Sequence, residues 1–299
     1  MNEANIRRLD SPPALDMPVT GILIDGSITY ASRLADHAEL AFTIPTPSGE
    51  SPVIYLLRHR GVPFYYVRFH GVDFTTASGN VQVGFSRTWY AINALRIRDI
   101  ISGAAAGSTS LDIVPGDVVI MRDFIDFSTH RPRSILTEIW EKPPWVGAQF
   151  DPPLCPELAG ILSNVAKSYD LGRVFDAGTL GQFEGHRFES PSEIRMANSA
   201  GAHIVAHHQA SEAIYARELG LHYGALNYIT NYGAGLVPSE DAFVGPAKAE
   251  IGYKRSTELM MEAIARAAER TPTCRVCLQP EDRPTPDRPH EVQPKPTYR

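Results

Sequence analysis

Short apolar runs, each closed by a small polar turn, alternate along this chain with stretches of helical periodicity. Residues 19–24 (VTGILI) run into Asp25-Gly26-Ser27, residues 98–102 (RDIIS) into Gly103-Ala104-Ala105-Ala106-Gly107-Ser108, and residues 118–121 (VVIM) into Arg122-Asp123. The pattern returns later, where residues 203–207 (HIVAH) follow Gly201 and residues 223–230 (YGALNYIT) lead into Asn231-Tyr232-Gly233-Ala234-Gly235. Between these runs, Ser190-Pro191-Ser192-Glu193 places serine at an N-cap, proline at the first helical position and glutamate at the third, with Gly201 as the stop. Residues 211–219, ended by Gly220, and residues 247–270 read as further helices, the last amphipathic. Buried strands alternating with helices must be covered on both faces. The pattern therefore predicts an α/β three-layer sandwich, a mostly parallel or mixed twisted sheet flanked by helices. Ligands of such folds gather at the carboxyl ends of the strands, which places candidate chemistry just after Ile24, Ser102, Ala206 and Thr230.

Proline limits the extent of this plan. Seven of the 24 prolines fall in residues 271–299, a segment rich in charge and almost without apolar side chains, so it is expected to be a disordered tail. Its Cys274-x-x-Cys277 is half of a zinc or redox motif, but no second Cys/His pair stands at metal-site spacing, so it reads as two thiols without a function. Residues 1–16, with Pro12 and Pro13, read as a loose segment, and residues 17–270 as a single domain. A formal net charge of -6 gives no attraction for phosphate backbones or anionic membranes, which argues against nucleic-acid and membrane partners. Three cysteines, an N-terminal stretch without an apolar core and no long apolar run lead to the expectation of a cytoplasmic protein.

Several blocks also carry a resemblance. Residues 184–196 (EGHRFESPSEIRM), the stretch from Ser211 to Leu221 and Ile229-Thr230-Asn231-Tyr232 stand in the same order as the second half of the trimeric nucleoside phosphorylase family, which includes purine nucleoside and methylthioadenosine phosphorylases. Ala104 to Ser108, then Pro115 to Ile120 and Asp123 to Asp126, are similar to the family's phosphate-loop segment and the strand after it. The resemblance implies cleavage or reverse formation of a purine nucleoside's N-glycosidic bond, by a homotrimer that needs no cofactor and takes phosphate as co-substrate.

Breaking that bond builds positive charge on the sugar and negative charge on the base, so the site must hold the base more tightly as it leaves and present a nucleophile beneath the anomeric carbon. By resemblance, Glu189 accepts from the purine N1–H edge, Phe188 stacks on the ring, and Asn231 bonds N7 and a 6-oxo group. An amide donates and accepts at once, which favours a 6-oxopurine over a 6-aminopurine. Asparagine after a strand and glutamate before a helix also serve as turn and capping residues.

For phosphate, the resemblance implicates Ser27, the Ala105 backbone, and Arg58 and His59, while His208 stands where a hydroxyl is expected. Asp25 and Ile28 replace glycines of the family's first turn, and a carboxylate beside a dianion is unfavourable. Asp25 therefore opens a second reading, a phosphate-independent nucleosidase with Asp25 activating water; a simple turn or cap is the structural alternative. A third is a nucleoside-binding or specialised-pathway protein. His207 is expected to touch the sugar, and Gly233 to line a small apolar wall near the 5'-substituent. His203, His207 and His208 spell H-x-x-x-H-H, but residues four apart on a strand are too distant to share an ion, so no metal is expected there.

Overall fold

A computed structural model describes residues 6–25, 27–68, 81–139, 148–185, 187–274 and 277. In chain order its strands are β1 (Ile6–Arg8), β2 (Gly21–Asp25), β3 (Leu40–Thr43), β4 (Pro45–Thr46), β5 (Gly49–Glu50), β6 (Ile54–His59), β7 (Val62–Arg68), β8 (Asp99–Ser108), β9 (Val118–Asp126), β10 (Val174–Gln182), β11 (Ile204–Ala206) and β12 (His222–Tyr232). The α-helices are α1 (Ser27–Ala31), α2 (Val81–Ala94), α3 (Leu136–Ile139), α4 (Pro156–Ala166), α5 (Pro191–Ser199), α6 (Gln209–Glu218) and α7 (Pro246–Glu269).

β2 shows how the layers arise. Every residue of this strand is buried, and its side chains alternate between two cores, with Ile22 and Ile24 in one and Leu23 in the other. The first core is covered by α2 and α6, where Tyr215 meets Phe85 and Trp89 edge-on with ring centroids 5.6 and 5.5 Å apart. The second is covered by α4 and α7 through residues such as Leu162, Leu259 and Met260. A strand apolar on both sides is what a sheet between two helical layers requires.

Ten strands form one mixed sheet in the order β1-β3-β6-β7-β2-β8-β11-β10-β9-β12, and β12 also pairs with β8. That last pairing closes β8, β11, β10, β9 and β12 into a ring, so the flanked mixed sheet expected from sequence carries a small barrel at one end. β4 and β5 form a separate hairpin.

Three expectations are corrected. Residues 103–108 were expected to be a loop but continue β8, because glycine and alanine let neighbours approach closely; a methyl at Gly103 would lie 2.5 Å from Sδ of Met260. Residues 6–16, expected to be loose, are tied down at several points: β1 pairs in parallel with β3, Leu9 donates its amide to the Thr43 carbonyl, and Asp16 pairs with Arg58. The start of the proline-rich segment is likewise packed, for Thr273 bonds Glu157 through its amide and hydroxyl, and Cys274 and Cys277 are buried beside Cys155 and His222. The remainder of the expected tail, residues 275, 276 and 278–299, lies outside the described residues.

Candidate active site

β2, β7, β8 and β12 run parallel, so their carboxyl ends share one side of the sheet. The register sets Asp25 opposite Arg68, Ile24 opposite Ser102, and Asn231 opposite Gly107.

Asn231 owes its aim to an irregularity. The β12–β8 register shifts between Ile229 and Asn231, which turns the local strand and re-aims the side chain. Its Oδ1 accepts from the Thr230 hydroxyl at 2.9 Å and its Nδ2 donates to the Tyr232 carbonyl at 3.0 Å, so the amide is held in one orientation. A methyl at Gly107 would stand 3.0 Å from that Nδ2, so glycine gives the asparagine room to lie close against β8. Gly233 is similarly constrained, since a methyl there would lie 2.7 Å from Cδ1 of Ile194 and 2.8 Å from the Ser108 carbonyl oxygen.

Glu189 is presented by the start of α5. Ser190 caps the helix as expected: its hydroxyl accepts the Glu193 amide, and the Glu193 carboxylate accepts the Ser190 amide. Hydrogen bonds from Arg187, then from the Ser190 amide, hold the Glu193 carboxyl well below the usual range, at about 2. With Glu193 occupied in the cap, the neighbouring Glu189 turns inward, buried, and its Oε1 lies 3.2 Å from Nε2 of His207. β11 pairs antiparallel with β8 (Ile204 with Ser108, Val205 with Gly107), and His207 follows directly after β11. Arg131 fixes the histidine's backbone, donating from Nη2 to the carbonyls of His207 and Glu184 at 2.9 and 2.8 Å.

Ser27 and Ala105 also meet, the Ser27 Oγ accepting the Ala105 amide at 3.4 Å. Ser27 thus meets Ala105 on β8, Glu189 meets His207 after β11, and Gly107 and Asn231 face each other across β8 and β12, with Gly233 just beyond β12.

Asp25 has a different occupation from water activation. Its carboxylate is fully buried and accepts the Thr29 amide at 2.5 Å, capping α1, and Thr29 in turn meets the Tyr66 hydroxyl at 2.6 Å. Burial, and then the Asp25 charge, push the Tyr66 phenol well up. Arg68 lines a cavity of about 400 Å³ together with Thr29 and Tyr66.

Four expected roles change. Arg58 and His59 pair with Pro63 and Val62, at the amino end of β7, six residues from Arg68 and so roughly 20 Å from the strand ends. There Arg58 pairs with Asp16 and Glu39, and His59 with Glu262, so both brace α7 and the N-terminal segment. His208 turns into the core, its Nδ1 2.8 Å from Oε1 of Glu212, whose Oε2 accepts the Tyr223 hydroxyl at 2.7 Å. Burial, then Glu212, raise the Tyr223 phenol well above its ordinary value. Phe188 is 65% exposed and meets the 55% exposed Phe243 edge-on at 5.9 Å, so it forms a rim rather than a floor. Of the H-x-x-x-H-H histidines, His203 accepts the Thr179 amide, and the three turn to three different partners.

Arg68 and Arg131 were not singled out from sequence. The signal for Arg68 was present: it ends the apolar run 62–67, as a strand-end cation would.

The sheet with its ring, and the strand-end cluster across β2, β8 and β12, define a nucleoside phosphorylase fold. The chain belongs to the phosphorylase superfamily, whose family model matches residues 23–271. A protein of Dictyoglomus turgidum named "Probable 6-oxopurine nucleoside phosphorylase" is 31% identical over 217 residues, 73% of this chain and 80% of that one. One of Methanothermobacter thermautotrophicus named "Probable S-methyl-5'-thioinosine phosphorylase" is 29% identical over 73% of each chain. The crystal structure of a methylthioadenosine phosphorylase sourced from an Antarctic soil metagenomic library superposes with a TM-score of 0.72 at 25% identity, covering 86% of this chain and 89% of that one.

Proposed function

We propose that this protein cleaves the N-glycosidic bond of a 6-oxopurine nucleoside by phosphorolysis, a pentosyl transfer that takes phosphate as co-substrate and needs no cofactor. The observation that carries this reading is Asn231, fixed by Thr230 and Tyr232 at the carboxyl end of β12 beside Gly107. As the bond lengthens, negative charge grows on the purine, and an amide held in place stabilises it without reorganising. Glu189, set by His207, accepts from the base's N–H edge. Arg68, with the Ser27 hydroxyl and the Ala105 amide, supplies the phosphate end. The relatives' names support the same reaction class, and one of them supports a 5'-thio substituent beside the small wall at Gly233.

Hydrolysis is not favoured, because the Asp25 carboxylate that would activate water is engaged in capping α1. Nothing in the site or the relatives favours a binding-only protein. The exposed Phe188–Phe243 pair beside Glu189 supports a homotrimer in which a neighbouring subunit covers this rim. Among the described residues no helix is long and apolar enough to cross a membrane, and Cys155, Cys274 and Cys277 stand outside any disulfide, which suits the cytoplasm.

The test is base release from inosine, guanosine, methylthioinosine and methylthioadenosine, each with and without phosphate. Release from the 6-oxopurine substrates only when phosphate is present is expected. Release that ignores phosphate would sink the phosphorylase reading, and turnover confined to the 6-aminopurine would sink the role of Asn231.

A further inference from the structure

The Cys274-x-x-Cys277 pair finds its complement far away in sequence. Sγ of Cys155, Sγ of Cys274, Sγ of Cys277 and a ring nitrogen of His222 all lie within 4.8 Å of one another. The four residues are 1, 7, 5 and 3% exposed, in the order Cys155, Cys274, Cys277, His222. They arrive from three separate pieces of the fold: Cys155 is the N-cap of α4, His222 is the first residue of β12, and the two tail cysteines follow α7. The Cys155 amide donates to the Tyr223 carbonyl at 3.1 Å, which locks the first two ligands together.

We propose that Cys155, His222, Cys274 and Cys277 bind one zinc ion as a closed, structural Cys₃His site. The spacing supports it. Zinc–sulfur and zinc–nitrogen bonds of about 2.3 and 2.0–2.1 Å, arranged tetrahedrally, set sulfurs roughly 3.8 Å apart and a sulfur and a nitrogen roughly 3.5 Å apart. The observed separations are 3.8 Å between Cys274 and Cys277 and 3.2 Å between Cys155 and Nδ1 of His222. Sulfurs joined in a disulfide would be about 2.05 Å apart, so the cysteines stand at the separation of two ligands of one ion.

The chemistry of the donor set points the same way. Three thiolates and a neutral imidazole suit zinc, and four protein ligands leave no position for substrate or water. Binding releases three thiol protons to solvent and leaves the site with one net negative charge. Arg270, mostly buried and paired with Asp99 and Glu157, supplies nearby positive charge. The ion would sit at the opposite end of β12 from Asn231, nine residues or roughly 30 Å away, too far to act on reacting atoms. Its work is to fasten the chain beyond α7 onto α4 and β12, adding to the bonds that Thr273 makes with Glu157.

The test uses the full chain, expressed in zinc-supplemented medium and purified under reducing conditions without chelator. Elemental analysis is expected to find one zinc per chain in the wild type and none in a C274S/C277S double variant. Cobalt exchanged into the wild type is expected to show the intense visible bands of a tetrahedral thiolate site. Stripping the metal with a strong chelator should lower the Tm of the wild type and leave that of the double variant unchanged. A wild type that takes up neither zinc nor cobalt would overturn the proposal, as would zinc retained at one per chain in the double variant. So would a wild-type mass two hydrogens low, with Cys274 and Cys277 protected from alkylation together.

Discussion

Nε2 of His207 lies 3.2 Å from Oε1 of Glu189, joining the end of β11 to the turn that opens α5. The contact ties the carboxylate that would read the purine to the strand that would border the sugar. Glu189→Gln should lower kcat/KM for inosine by about 10- to 100-fold, because a buried donor on the base loses a charged acceptor. His207→Ala should act more weakly and chiefly on KM. Steady-state kinetics decide the matter, and an unchanged Glu189→Gln enzyme would remove that residue from base recognition.

The two arginines near β7 should separate cleanly. Arg68→Met is expected to raise the KM for phosphate at least about 10-fold, since a cation near a dianion in a partly desolvated site contributes on the order of a kcal/mol or more. Arg58→Met, on β6 beside the amino end of β7, should leave the phosphate KM unchanged. Phosphate titrations at saturating nucleoside test both, and the reverse pattern would restore Arg58 to the site.

Replacing Asn231 by aspartate removes the donor half of its amide. The Asn231→Asp enzyme should lose about 10²-fold in kcat/KM for 6-oxopurine nucleosides and lose less for 6-amino ones. Measuring inosine against adenosine side by side shows whether the ratio moves; equal losses would mean the residue does not read position 6.

Gly233→Ala pushes a methyl against the Ser108 carbonyl and Ile194. Backbone yields poorly, so the turn after β12 must shift, and a displacement of about 1 Å in a site can cost about 10²-fold in rate. The expected result is a folded protein, judged by circular dichroism, with greatly reduced kcat. Full activity would show that this turn is pliable.

The capping box gives a pH signature. The folded Glu193 carboxyl titrates near 2, below its unfolded value of about 4.3, so its stabilisation is present above that higher value and fades as pH falls toward the lower one. Glu193→Gln should therefore lower Tm at pH 6, with the gap to wild type shrinking steadily below pH 4. A gap independent of pH would show that the carboxylate's charge plays no part in the cap.

The sheet, α5, α6 and α7 were legible because their signals are local: periodicity, a serine cap, a terminating glycine. The placement of Asn231 at the end of β12 and of Glu189 before α5 was legible for the same reason, since both lie beside such signals. Arg58 misled because the sequence cannot say which end of a hairpin faces the site, and β6 runs antiparallel to β7. Cys155 and His222 were invisible as partners of Cys274 and Cys277, since only the packing of α4 against β12 and α7 brings them together. The small residues of 103–108 read as a turn, when their smallness answers the close approach of Met260, Val205 and Asn231.

Closing β12 onto β8 also governs how this protein meets its own copies. A sheet that ends in a ring offers no unpaired strand there, so among the described residues the open border of the large sheet is β1 alone. That border is three residues long and carries Arg7 and Arg8, both exposed. Brevity and like charge discourage a second chain from adding itself as an eleventh strand. The fold thereby resists runaway edge-to-edge polymerisation while leaving its helical and loop surfaces available for assembly.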